Sequence, residues 1–126
     1  MKKEDLTILY VEDEEETRSI VSSILKKYYK EVIVAEDGQV GLAAYKASNP
    51  DIVLSDISMP NMNGLEMSAE IKALNPNQVI ALFTAFNEPQ YQEKSTELEI
   101  HAYILKPFDH DRFFNALHYL NMLVSV

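Results

Sequence analysis

The chain has no cysteine, which excludes a disulfide framework and a thiolate metal site and suits a reducing compartment. It is also short of positive charge. Eleven Lys and Arg against twenty Asp and Glu give a formal net charge of −9, which repels nucleic acid and anionic lipid and argues against direct DNA binding. No apolar run approaches the roughly 20 residues a membrane helix needs, and the opening Met1-Lys2-Lys3-Glu4-Asp5-Leu6 lacks the apolar stretch of a secretory signal. Repeats, linkers and low-complexity tracts are missing as well. These absences predict a soluble, cytoplasmic protein. The 126 residues, 47% of them hydrophobic, suffice for one core and leave no room for a second domain, so 1–126 reads as a single domain.

What is present is an alternation. Runs at Leu6–Val11, Val32–Ala35, Ile52–Ser55, Val79–Phe83 and Ala102–Leu105 are almost continuously apolar, as strands buried on both faces of a parallel sheet must be. Helical patterns lie between them. One places Ile20, Ile24, Leu25 and Tyr28 on a face, another Met67, Ile71 and Leu74, and the last Phe113, Ala116, Leu117, Leu120 and Val124. Asp37-Gly38 opens a helix that Asn49-Pro50 closes; Asn63-Gly64 marks the next turn and Asn75-Pro76 ends the helix after it. A fourth helix, near Asn87 to Glu97, has almost no apolar anchors besides Tyr91 and Leu98 and must hold Pro89 in its first turn, so it is expected to be mobile. Five alternations with right-handed crossovers predict a doubly wound α/β sandwich.

Chemistry gathers at the strand ends. In a parallel sheet the carboxyl ends of the strands open into one crevice, and the runs here end in Glu12-Asp13, Asp56, Thr84 and Lys106-Pro107. Neighbouring strand residues point to opposite faces, so Glu12 and Asp13 can share a ligand only where the strand has given way to a turn. Three carboxylates in one crevice resist ionising together unless a cation neutralises them. Mg²⁺ suits an all-oxygen set of this kind. Lys106 supplies a compact positive charge, and Thr84 a hydroxyl, for phosphoryl oxygens. The set fits a phosphoryl transfer in which Asp56 attacks a phosphodonor in line and becomes an acyl phosphate. Singly, each feature has a plain explanation: the Glu12-Asp13-Glu14-Glu15-Glu16 run as a solvated helix start, Thr84 as a turn hydroxyl, Lys106 as a surface lysine. Their joint placement at the right ends of successive elements favours the chemical reading.

In the order of these motifs the chain resembles a response-regulator receiver domain of two-component signalling, of the chemotaxis (CheY-like) kind, from Leu6 to Leu120. The resemblance implies a flavodoxin-like (βα)5 fold with strand order 2-1-3-4-5. It implies Asp56 as phosphoacceptor, Asp13, Asp56 and the Ser58 backbone carbonyl as direct Mg²⁺ ligands, Glu12 acting through water, and Thr84 and Lys106 as phosphate ligands. It further implies a loop at Met59-Pro60-Asn61-Met62-Asn63-Gly64, a final motif Lys106-Pro107-Phe108 with a commonly cis prolyl bond, and a switch made of Thr84 and Tyr103 that reshapes the surface from 87 to 120. Ser58 and Phe86 occupy positions that influence the lifetime of the phosphate. The partners implied are a sensor histidine kinase or histidine phosphotransfer protein upstream, and a protein target or attached output domain downstream.

Two other functions use related residues. A Mg²⁺-dependent aspartyl phosphatase would share the chemistry, but Ser58 stands where such enzymes place a second Asp as general acid. A degenerate receiver serving as a constitutive interaction module would lack the phosphoacceptor, the acidic pair or the lysine, all of which are here. His101, His110 and His118 show no metal-ligand spacing and read as surface or packing residues. The apolar stretch Asn121-Met122-Leu123-Val124-Ser125-Val126 reads as helix packing on the sheet, as a dimer contact, or as the join to a longer regulator.

Overall fold

Strands that are apolar on both faces need cover on both sides, and the helices divide accordingly. The computed structural model describes residues 4–84, 98–106 and 109–124, without the side chains of Glu4 and Thr84. Five strands, β1 (Glu4–Val11), β2 (Tyr29–Ala35), β3 (Ile52–Asp56), β4 (Val79–Thr84) and β5 (Ala102–Leu105), form one parallel sheet in the order β2-β1-β3-β4-β5. This is the doubly wound, flavodoxin-like arrangement expected from the sequence. Four helices are described, α1 (Glu15–Leu25), α2 (Gly38–Ser48), α3 (Gly64–Leu74) and α4 (His110–Val124). The helix expected near Asn87 to Glu97 lies outside the described residues, as do Phe86, Pro107 and Phe108.

Alternation along β1 sorts the core into two layers. Ile8 and Tyr10 face one side, packing with Val21 and Leu25 of α1 and Phe113, Leu117 and Leu120 of α4. Leu9 and Val11 face the other, with Tyr45 of α2 and Leu65, Met67 and Ile71 of α3. The period of two in the strand thus decides which helix pair each residue meets.

The helix ends follow the punctuation. Asp37 caps α2 by accepting the Val40 N–H at 2.9 Å, and the helix stops at Asn49 in a left-handed conformation (φ 50°). Asn63 and Glu66 form a reciprocal capping box at the start of α3. Some expectations shift. Ile20 (56% exposed) and Leu74 (58% exposed) face solvent; in α1 the neighbouring Val21 is buried instead, and in α3 Leu65 joins Met67 and Ile71 in the core while Leu74 is the last residue of the helix. Helix α1 ends at Leu25, so Tyr28 packs from the following turn, edge-on to Phe114 at 5.3 Å. Strand β2 begins at Tyr29 rather than Val32: as an edge strand it carries exposed Lys30 and Glu31, which mask its pattern.

Candidate functional site

Because β1 and β3 are adjacent and parallel, Val11 lies opposite Ser55 and the residues just beyond them meet at the carboxyl edge of the sheet. Strand β1 has ended where Glu12 and Asp13 turn toward that edge, as their joint use of one crevice requires. Carboxylate oxygens of Glu12, Asp13 and Asp56 lie within 4.8 Å of one another, the one such cluster among the described residues. Glu12 is 1% exposed, Asp56 partly buried and Asp13 exposed.

Lys106, next after β5, reaches across this cluster. Its Nζ lies 3.3 Å from Glu12 Oε1 and 3.2 Å from Asp56 Oδ2, and 5.6 Å above the centre of the Phe83 ring. Burial opposes its charge, but the Asp56 and Glu12 carboxylates outweigh that and raise its pKa above the usual lysine value. Burial first, and the Asp56 charge second, push the Glu12 carboxyl up; the Glu14 N–H and Lys106 pull the other way. A crowded acid set, its Glu12 buried, with excess negative charge and only oxygen donors fits a hard divalent cation such as Mg²⁺.

The turn after β3 is held tightly. Asp56 Oδ1 accepts the Ile57 N–H at 2.9 Å, Ile57 N–H also reaches the Phe83 carbonyl at 3.2 Å, and Gly64 N–H donates to the Ile57 carbonyl at 2.8 Å. Asn61, at φ 68°, extends its amide to Asp37 Oδ2 at 3.0 Å and ties this turn to the start of α2. The Val40 N–H, followed by Asn61, holds the Asp37 carboxyl below the usual range. Gly64 is required by close approach: a Cβ there would sit 2.2 Å from the Asp56 carbonyl oxygen. Gly64→Ala is therefore expected to cost about 2–3 kcal/mol by forcing the turn outward; urea unfolding showing less than half that loss would contradict the packing argument.

The structure brings Glu12, Asp13, Asp56 and Lys106 together. Ser58 is exposed on the turn two residues after Asp56, and Tyr103 is half-buried on β5, opposite Leu82 and packed against the Leu9 layer. Thr84 ends β4 in register with Leu105, on the strand beside Asp56; its side chain, and all of Phe86, lie outside the described residues. His101 packs at the start of β5, with Nδ1 accepting the Ile80 N–H at 3.3 Å, while His110 and His118 are exposed. Two residues at the site escaped the sequence reading. Tyr10 donates its hydroxyl to Glu12 Oε1 at 3.4 Å, and Arg18 Nη1 donates to the Glu12 carbonyl at 2.8 Å. Their signals were slight: Tyr10 shares a strand face with position 12, and Arg18 lies one turn into the helix that follows the acidic pair.

A parallel sheet of this order, with an acidic cluster and a lysine at its carboxyl edge, defines a class of phosphoryl-accepting α/β switches, and comparison with known proteins agrees. The chain belongs to the response regulator receiver domain family, which matches residues 8–118. It is a phosphoacceptor switch of two-component signalling, and no helix among the described residues is long and apolar enough to cross a membrane. It is 30% identical over 110 residues to the chemotaxis protein CheY of Halobacterium salinarum, covering 87% of this chain and 92% of that one. It is 35% identical over 102 residues to a cyclic di-GMP phosphodiesterase of Thermotoga maritima, covering 81% of this chain but 27% of the relative. Among solved structures, the N-terminal domain of an uncharacterized Wolinella succinogenes protein superposes with a TM-score of 0.86 at 34% identity, covering 94% and 95% of the two chains. The chain thus spans nearly the whole of some relatives and about a quarter of others.

Proposed function

We propose that residues 1–126 form a single receiver domain in which Asp56 accepts a phosphoryl group from a histidine kinase or a histidine phosphotransfer protein. The carrying observation is the Lys106 ammonium lodged between the Glu12 and Asp56 carboxylates, 3.3 and 3.2 Å away, with Asp13 alongside. That placement puts a fixed positive charge where negative charge gathers as a phosphoryl group arrives.

In the transfer, an Asp56 carboxylate oxygen forms a bond to phosphorus as the bond to the leaving group breaks, and the leaving group departs with that electron pair. Lys106 turns from the carboxylates to a phosphoryl oxygen, and the Thr84 hydroxyl takes another. Asp13, Asp56 and the Ser58 carbonyl, with Glu12 through water, would hold Mg²⁺, which would supply neutralisation of the crowded oxygens. The chain accelerates its own phosphorylation and the later hydrolysis of the acyl phosphate, with the residue types at Ser58 and Phe86 influencing how long that phosphate survives. Thr84 and Tyr103 pass the change to the surface between 87 and 120, which meets a protein target, an attached output domain or a second copy, without direct nucleic-acid or membrane contact and in the cytoplasm.

Incubation with Mg²⁺ and acetyl phosphate, read by intact mass, tests the reading. A single phosphate-sized gain is expected that requires Mg²⁺ and disappears in Asp56→Ala. A gain that persists in that variant would reject Asp56 as acceptor.

A further inference from the structure

Glu12 is the one carboxylate of the cluster that the fold encloses, and it is pinned at every polar atom beyond its amide. Its Oε2 accepts the Glu14 N–H at 3.2 Å, its Oε1 faces Lys106 at 3.3 Å and the Tyr10 hydroxyl at 3.4 Å, and its carbonyl accepts Arg18 Nη1 at 2.8 Å. Arg18 Nη1 also reaches the Asp13 carbonyl at 3.4 Å. Lys106 has a place in the transfer; Tyr10 and Arg18 have none.

The core explains the Tyr10 ring but not its oxygen. The ring is fully enclosed, edge-on to Phe83 at 6.3 Å, and Phe83 in turn packs on Phe113 at 5.9 Å. Phenylalanine would fill that space equally well. The hydroxyl instead extends along the strand face shared by positions i and i+2, straight to the Glu12 carboxylate. Arg18 approaches from the other direction, off the first turns of α1, and its Nη1 alone reaches both successive carbonyls, Glu12 at 2.8 Å and Asp13 at 3.4 Å. Glutamate also has one more rotatable bond than aspartate, so an unsupported Glu12 would spread over several rotamers and present its charge to the crevice for only part of the time.

The geometry assigns Tyr10 and Arg18 as positioning residues of the cation site: Tyr10 fixes the Glu12 carboxylate, and Arg18 fixes the Glu12-Asp13 backbone that aims both acids at Asp56. This rests on the Mg²⁺ reading above. Partners of this kind orient the groups that serve a metal, and their loss typically weakens metal affinity about 10–100-fold.

The test is a Mg²⁺ titration followed by backbone amide shifts of residues 12–14 and 56–58, on the wild type, Tyr10→Phe, Arg18→Lys and the double variant. Each single variant is expected to weaken Mg²⁺ affinity about tenfold, while the phosphorylation rate at saturating Mg²⁺ stays within about twofold of wild type, since neither residue touches the reacting atoms. Arg18→Lys keeps the charge but sets its nitrogen on a shorter side chain, so a loss there reports geometry rather than field. Equal Mg²⁺ affinity in wild type and variants, with only the melting temperature lowered, would make both residues structural and overturn the assignment. A wild type whose shifts ignore Mg²⁺ would instead reject the cation reading itself, and the assignment with it.

Discussion

Lys106→Met is expected to slow Mg²⁺-dependent phosphorylation of Asp56 about 10²-fold, the usual effect of removing one group that stabilises charge developing in a transition state. The same substitution should destabilise the fold in a cation-dependent way. Glu12 is almost completely buried, and Lys106 offsets the repulsion between it and Asp56. Methionine keeps the alkyl packing over Phe83 but leaves two carboxylates facing each other without a counter-charge. A loss of about 1–3 kcal/mol is expected in EDTA, below the full value for a deeply buried pair because the lysine keeps a quarter of its side-chain surface in water. Mg²⁺ should recover most of this stability while leaving the rate slow, since a cation can neutralise the acids without taking the place of the lysine at the phosphoryl oxygen. Urea unfolding with and without Mg²⁺, beside the rate of mass gain with acetyl phosphate, separates the two effects. A variant phosphorylated at the wild-type rate would remove Lys106 from the mechanism.

Glu12→Gln should act in the opposite sense on stability. Burial, and then the Asp56 charge, raise the folded carboxyl above its ordinary value of 4.5. Between that value and the raised one, the folded chain keeps a proton that the unfolded chain has released, so the free energy of unfolding falls as pH rises through the window. Below the window both states are protonated and there is no penalty; above it both are ionised and the penalty is complete. Glutamine is neutral throughout. Its advantage should therefore be absent in acid, grow across the window and level off above it. Saturating Mg²⁺ should reverse the ranking, because the wild-type charge then faces a cation that binds only the folded state. Unfolding curves from about pH 4 to about pH 8 test the sign; a glutamine variant less stable than wild type at neutral pH in EDTA would show that Lys106 already outweighs the burial of Glu12.

The sequence by itself determined the sheet, the number of strands and the place of the four charged residues at its edge, because buried parallel strands write near-continuous apolar runs and their ends are marked by turns. Asp37, Asn63 and Asn75 stop and start helices through local hydrogen bonds, so short-range pattern sufficed there too. It determined less where packing rather than periodicity decides. Ile20 and Leu74 fit the helical stripes in sequence, and only the packing on the sheet left them exposed while burying Val21 and Leu65. The tertiary structure alone decided that Lys106, 94 residues from Glu12 and 50 from Asp56, would settle between them. It alone gave Tyr10 and Arg18 their places around Glu12, since a strand tyrosine and a helix arginine look in sequence like core and surface. Their partners are chosen by the turn that β1 makes as it leaves the sheet, and no local spacing encodes that turn.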